Sequence, residues 1–225
     1  MELNANFDQR VLIHSPDLDW VSSPMPGVHR RMLDRLGDEV ARATSIVRYA
    51  PGSHFSPHVH TGGEEFVVLE GVFQDEHGDF PVGSYIRNPP SSSHTPGSKP
   101  GCVIFVKLWQ FDLDDRVQVR TKINANDFIP DSKQPGVSKI LLHQDEREKV
   151  TVETWQPGCD VTVEATGGAE LLVLEGSVLE AEETLKTQSW LRVPVGSVIR
   201  AKAGSKGAKI WLKTGHLHHV QAPPT

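Results

Sequence analysis

Two histidines and a glutamate lie close together in the segment GSHFSPHVHTGGEEFVVLEG, which covers residues 52–71. His58 and His60 are two positions apart, so both side chains point to one face if this segment is a strand. The following Thr-Gly-Gly permits a tight turn, because glycine tolerates positive φ, and Glu64 can return to the same point. Imidazole nitrogens with a carboxylate oxygen suit a first-row divalent metal, so the pattern predicts a metal site.

A fourth candidate ligand is His94, which lies in PPSSSHTPG between prolines that stiffen the loop. Four protein ligands on an octahedral ion leave two positions for water or a small-molecule ligand. Glu65 competes with Glu64 for the carboxylate position, because strand alternation sends the two side chains to opposite faces and only one ligates. Ordinary polar residues of a surface hairpin are the alternative interpretation of the whole pattern.

Composition and charge argue against a nucleic-acid-binding, a membrane-spanning or a secreted protein. The chain has 225 residues, a formal net charge of −6 and no run of basic residues, which argues against a nucleic-acid-binding surface. No apolar run approaches the roughly 18 residues of a membrane span, and the N-terminus lacks the apolar segment of a secretory signal. The two cysteines, Cys102 and Cys159, form no CxxC motif, so we expect a reducing, cytoplasmic setting.

An internal repeat organises the chain. FVVLEG at 66–71 is echoed by LLVLEG at 171–176, and SYIRNPP at 84–90 is echoed by SWLRVPV at 189–195. The matched segments keep the same order at an offset of about one hundred residues, which indicates duplication. Between turns rich in Gly, Pro, Asp and Ser lie short runs of Val, Ile, Leu, Phe and Trp. This pattern is typical of antiparallel strands that close into a sandwich or small barrel.

The repeat predicts an all-β chain with two domains, residues 1–113 and 114–225. Aligning the repeats places no histidine of the second half opposite a candidate ligand of the first. The second domain is therefore expected to lack a metal site and to be structural, an interface or a vacant pocket. In this alignment the residues opposite His58, His60, Glu64 and His94 are, in order, Glu164, Thr166, Ala169 and Ile199.

The first motif and its bounding glycines resemble the first conserved motif of the cupin superfamily, and Pro81 to His94 resembles the second. The motif spacing of six residues to Gly71 favours Glu64 over Glu65. The whole stretch from HVHTGGEEF to SSSHTPG is similar to the cupin domain of ChrR-type anti-sigma factors. The resemblance implies a bicupin of two tandem jelly-roll barrels, with one divalent metal (Zn, Fe, Ni or Mn) in the first.

The resemblance leaves the activity open. One interpretation is a regulatory or sensor protein, although the helical domain that binds the sigma factor in that family is not expected here. The first 26 residues contain one histidine, His14, and no cysteine. The other interpretation is a mononuclear non-haem iron dioxygenase acting on a small organic substrate, but no general base stands out and no catalytic residue is assigned. A purely structural or storage bicupin is a third. The resemblance also implies a homodimer and a small-molecule ligand in the first barrel.

Overall fold

The computed structural model describes residues 1–38 and 40–224, and antiparallel strands dominate it, which confirms the all-β prediction. Within these residues, no helix is long and apolar enough to cross a membrane. Short 3-10 helices span Ser15–Asp17, Ala125–Asp127 and His216–His219. The strands up to residue 122 are β1 (Glu2–Leu3), β2 (Val11–His14), β3 (Val21–Ser22), β4 (Val28–Gly37), β5 (Ala41–Tyr49), β6 (Ser53–His54), β7 (His58–Val59), β8 (Glu64–Asp75), β9 (Gly78–Pro81), β10 (Ser84–Asn88), β11 (Ser93–His94), β12 (Gly97–Ser98), β13 (Cys102–Leu108) and β14 (Val119–Lys122). The later strands are β15 (Ile129–Pro130), β16 (Val137–Gln144), β17 (Lys149–Trp155), β18 (Asp160–Ala165), β19 (Ala169–Glu180), β20 (Glu183–Lys186), β21 (Ser189–Val193) and β22 (Ser197–Thr214).

The chain divides into two compact units, and neither is a single continuous segment. Strand β2 pairs with β21 and so belongs to the second unit, while β14 pairs with β10 in the first. The first unit contains residues 1–5, residues 18–122 and the C-terminal residues from 221 onwards, and the second contains residues 6–17 and 123–220.

The first unit is built on a sheet with the strand order β1-β4-β5-β13-β8-β10-β14. One face of this sheet carries an apolar core that includes Phe66, Val68, Ile104 and Val106, all almost fully buried. The core residues alternate along β8 and β13, as expected for strands with one face turned to the interior. The short pair β7 and β11 lies outside this sheet and brings two separate loops together.

The second unit repeats this arrangement with the strand order β15-β16-β17-β22-β19-β21-β2. Its core is larger and contains Leu171, Val173, Ile199 and Ile210, each with no measurable exposure. Buried apolar area is the main favourable term in folding, so this core is a main source of the unit's stability.

Both units bury a row of charged side chains on the sheet face opposite the core. In the second unit, Glu170 on β19 lies directly between Arg192 on β21 and Lys213 on β22, and all three are fully buried. Trp190 donates a hydrogen bond from Nε1 to Glu170 Oε2 at 3.1 Å, and His216 Nε2 lies 2.9 Å from Oε1. A buried charge is tolerated only when it is paired and hydrogen-bonded, so these groups depend on one another.

The first unit contains the same row at equivalent positions. Glu65 on β8 lies between Arg87 on β10 and Lys107 on β13, and Tyr85 takes the place of the tryptophan. The Tyr85 hydroxyl donates to Glu65 Oε2 at 2.8 Å, and Arg87 forms an ion pair with Asp115 at 2.6 Å. This network is therefore common to both halves and independent of the candidate metal ligands.

The glycine that ends each LEG segment is required by backbone contact. Gly71 has a φ of +69°, and a Cβ added there would lie 2.0 Å from the carbonyl oxygen of Gly101. Gly176 repeats this geometry against Gly207 at 2.1 Å. Gly52 also has a positive φ of +78°, but no atom lies within 4 Å of its added Cβ. Gly52 therefore shares the backbone conformation of Gly71 but lacks its close contact, and a substitution there serves as a matched control.

We expect Gly71→Ala to destabilise the protein clearly more than Gly52→Ala. The positive φ alone costs an alanine about 1–2 kcal/mol at either position. Only at position 71 must the backbone also move, which adds roughly 1–3 kcal/mol. Urea unfolding followed by circular dichroism measures both variants. Equal free energies of unfolding in the two variants would show that the Gly101 contact has no energetic consequence.

Candidate metal centre

Four side chains from separate strands and loops converge in the first unit. His58 begins β7 and His94 ends β11, and these two strands pair so that the two residues lie directly opposite each other. His60 follows β7, and Glu64 opens β8 after the glycine turn. One ligand-capable atom from each residue lies within 4.8 Å of the others. We call these four side chains the ligand cluster.

The distances within the ligand cluster are short. His60 Nε2 and His94 Nε2 are 3.2 Å apart. Glu64 Oε2 lies 3.3 Å from His60 Nε2 and 3.5 Å from His94 Nε2. Two ligands that each bind one ion at about 2.1 Å are roughly 3.0 Å apart at a right angle and roughly 3.4 Å apart in a tetrahedron. The three atoms therefore have the mutual spacing of ligands around a single first-row ion.

The second ring nitrogen of each histidine is held by an oxygen outside the ligand cluster. His58 Nδ1 lies 2.9 Å from the carbonyl oxygen of Ser56, which can only accept. His94 Nδ1 lies 3.2 Å from Asp75 Oδ2. Carbonyl and carboxylate oxygens accept a hydrogen bond from Nδ1–H, which leaves the Nε2 lone pair free of a proton.

His60 also donates a hydrogen bond from Nδ1, in this case to a hydroxyl oxygen. Its Nδ1 lies 3.0 Å from Ser92 Oγ, and that hydroxyl donates its own proton to the carbonyl oxygen of Pro89 at 2.5 Å. Ser92 must then accept from His60, so the inward Nε2 again carries a lone pair. Two lone pairs facing each other at 3.2 Å repel unless a cation lies between them. The donor set thus fits a divalent metal.

Electrostatics within the ligand cluster favour an ionised carboxylate. Burial alone raises the pKa of Glu64, but the surrounding imidazoles, with His60 first among them, lower it to about 2. Asn88 Nδ2 also donates to Glu64 Oε2 at 3.2 Å. For His94, burial lowers the pKa, but the hydrogen bond to Asp75 and the charges of the nearby carboxylates together outweigh burial and raise it. Burial lowers the pKa of His58, whose side chain is partly exposed.

The structure separates the two neighbouring glutamates. Glu64 lies in the ligand cluster, whereas Glu65 points to the opposite sheet face and accepts the Tyr85 hydrogen bond. Sequence reasoning did not find Asp75 or Ser92, which orient the histidines. Asp75 lies in a segment that reads as a hairpin turn, and Ser92 is one of three consecutive serines, so neither carries a local signal.

In the second unit the alignment of ligand positions needs a correction of one residue. Val163 on β18 pairs directly with Ile199 on β22, as His58 pairs with His94. Each member of the ligand cluster is therefore separated from its equivalent in the second unit by the same number of residues. Glu164, which the sequence alignment placed opposite His58, is exposed. The slip arose from aligning Pro51–Gly52 with Pro157–Gly158. Successive side chains of a strand point to opposite faces, so a slip of one residue assigns a residue to the wrong face. The four equivalent residues are Val163, Ala165, Ala169 and Ile199, all buried.

A different group in the second unit also brings three possible ligands together, namely His143, Asp145 and Glu148. Its groups already have partners. Asp145 Oδ1 accepts the backbone N–H of Arg147 and of Glu148, each at 2.8 Å. Glu148 forms a buried ion pair with Lys213 at 2.8 Å. The positions of these side chains are therefore explained by the turn between β16 and β17 and by the buried charged row, without a metal ion.

Solved structures identify the class of the fold. The chain is similar to a cupin 2 conserved barrel domain protein from Leptotrichia buccalis, with 12% identity, a TM-score of 0.62 and coverage of 91% of this chain and 96% of that one. A candidate dioxygenase from Nostoc punctiforme gives 17% identity and a TM-score of 0.70 over 97% of this chain and 88% of that one. The bacterial pirin of Escherichia coli in complex with nickel(II) gives 13% identity and a TM-score of 0.60, over 91% and 98% of the two chains. At these identities the likeness establishes the fold, which is that of the cupins.

A family model also matches part of the chain. Residues 8–112 match the family model of the ChrR cupin-like domain, which confirms the resemblance found in the sequence. The matched residues include the whole ligand cluster. No curated protein matches the chain at a significant level of sequence similarity.

Proposed function

We propose that the first unit binds one divalent transition-metal ion through the ligand cluster, and that this centre serves a regulatory, signal-sensing module. The observation that carries the proposal is the convergence of three histidine side chains on one ionised carboxylate, with the Nε2 atoms of His60 and His94 3.2 Å apart. When bound, a metal ion supplies a Lewis acid with coordination positions beyond its four protein ligands. The chain itself fixes the ring orientations through Ser56, Asp75 and Ser92.

The regulatory role draws support from the ChrR cupin-like domain, whose resemblance implies a response to oxidative signals. It also draws support from the second unit, where buried apolar residues replace the ligand cluster. A chain with one metal centre and one apolar counterpart suits a protein in which the second unit stabilises the fold or binds a partner.

The second candidate function is a non-haem iron dioxygenase. The specific observation in its favour is the partial exposure of His58, which leaves one side of the ligand cluster open to a small molecule, whereas His60 and His94 are buried. A structural neighbour described as a candidate dioxygenase agrees with this possibility at the level of the fold.

Metal analysis separates these functions. We expect about one transition-metal ion per chain after purification without added metal, because four preorganised ligands bind tightly. Iron together with oxygen uptake on diketones or thiols would establish the enzyme. Tightly held zinc without turnover would establish the sensor. A protein that carries no metal and takes up none from solution would contradict both.

A further inference from the structure

Arg35 shares the sheet face of the ligand cluster. Glu64 on β8 lies directly opposite Leu108 on β13, Leu108 lies opposite Ala43 on β5, and Ala43 lies opposite Arg35 on β4. Directly opposed residues of antiparallel strands project their side chains to the same face. This row therefore places a guanidinium on the face that carries the Glu64 carboxylate.

Arg30 lies on the same face but two rows away from Arg35, because the row that ends at Met32 lies between them. Val68, Ile104 and Val47 follow one another across β8, β13 and β5, and Arg30 on β4 is directly opposite Val47. The three apolar residues belong to the core of the first unit, which confirms that this face is the inner one. Arg30 and Arg35 are thus the two inward-facing cations at the β4 edge of the core.

No carboxylate among residues 1–38 and 40–224 forms an ion pair with either arginine. The Nε atom of Arg30 is buried and has no hydrogen-bond partner among these residues. Arg35 donates to the backbone carbonyl of Asp38, while the carboxylate of Asp38 pairs with the N-terminal amine. Burial and the charge of Arg30 lower the pKa of Arg35 and outweigh the opposite effect of the exposed Asp38 carboxylate, so the two guanidinium groups repel each other. A negative group between them would relieve this repulsion.

The same face is partly open to solvent in both rows. Leu108, the neighbour of Glu64 in the Arg35 row, is 37% exposed, and Val21, which lies opposite Arg30 on β3, is 48% exposed. An apolar side chain on the inner face of a sheet is normally covered. The exposure of one such side chain in each row indicates that a small molecule can reach this face.

The second unit provides an internal comparison. The row that ends at Arg30 in the first unit ends there at Lys139, which forms an ion pair with Asp131. The counterpart of the Arg35 row starts from Ala169, the counterpart of Glu64, passes through Thr214 and the exposed Lys149, and ends at the neutral Gln144. In the unit without the ligand cluster, the cation at the position of Arg30 is therefore paired with a carboxylate, and the position of Arg35 is neutral.

We propose that the metal site takes an anionic ligand with a carboxylate or comparable group, and that Arg30 and Arg35 bind that group. The inference rests on the proposed metal-binding function and specifies its ligand class. A guanidinium presents parallel N–H donors that match a carboxylate, and such charge-assisted bonds are stronger than neutral ones. The two arginines are specificity-determining residues: they select a negative charge at a distance from the metal-binding end of the ligand.

The test uses pairs of probes that differ only in that charge. The probes are 2-oxo dicarboxylic acids of four, five and six carbons and the 2-oxo monocarboxylic acids of the same lengths. Isothermal titration into the nickel-loaded protein measures each dissociation constant. At least one diacid is expected to bind about tenfold or more tightly than its monoacid, the scale of one charge-assisted pair. Equal affinities across all three lengths would overturn the proposal.

Variants assign the effect to the arginines. Arg30→Gln and Arg35→Gln are expected to remove the diacid preference without changing the monoacid affinity or the metal content, and Arg30→Lys should retain part of it. Lys139→Gln, the equivalent change in the second unit, is the control and should leave every affinity unchanged. A preference that persists in both glutamine variants contradicts the assignment. If the protein binds no metal, the proposed function fails, and the same titrations on the metal-free protein decide the anion site separately.

Discussion

Replacing His58 or His60 by alanine should abolish metal binding, with a loss of affinity greater than a hundredfold. Each substitution removes one nitrogen of a four-residue set whose atoms lie within 4.8 Å of one another. Outer partners of metal ligands alone account for about 10–100-fold in affinity, so loss of a ligand exceeds that range. The metal content per chain, determined by mass spectrometry after dialysis against a chelator, measures the effect.

Two further variants make this prediction specific. Glu164→Ala changes an exposed carboxylate of the second unit and is expected to leave the metal content unchanged. Asp75→Asn keeps every ligand but weakens the bond to His94 Nδ1, so a graded loss of about 10–100-fold is expected. Metal loss in the Glu164 variant, or full retention in the His60 variant, is incompatible with the ligand cluster as the binding site.

Replacing Glu170 by alanine should lower the free energy of unfolding by about 3–5 kcal/mol, the range for breaking a buried ion pair by removing one partner. The change leaves Arg192 and Lys213 buried beside the vacated position and removes the acceptor of the Trp190 hydrogen bond. Trp155, Trp190 and Trp211 are all buried in this unit, so urea unfolding followed by tryptophan fluorescence reports on it directly.

Two control variants separate the effect of burial from the effect of charge at Glu170. Glu164→Ala removes an exposed carboxylate and should stay within about 0.5 kcal/mol of the natural protein. Glu170→Gln keeps an acceptor for Trp190 and should cost less than the alanine variant. A loss below about 1 kcal/mol for Glu170→Ala would mean that the buried cations find other partners, and that the row is not an interdependent network.

The ligand cluster was accessible from sequence because its signals are local. His58 and His60 share a face through strand alternation alone, and the glycine turn before Glu64 restricts where the carboxylate can go. His94 is distant in sequence but is flanked by prolines in a short loop. The structure brings all four together, while their role as ligands, the homodimer, the cytoplasmic location and the 113/114 domain boundary stay predictions.

The all-β class, the repeat and the candidate ligands could be predicted from the residues alone, since they depend on the period of two and on residue types at fixed spacing. The distant groups that surround the ligands could be found only in the folded chain. Arg30 and Arg35 are five residues apart, which strict alternation assigns to opposite faces. A β-bulge between Met32 and Asp34 adds one residue to β4 and turns both arginines inward. Bulges depend on pairing with a neighbouring strand, and a linear pattern does not contain that pairing.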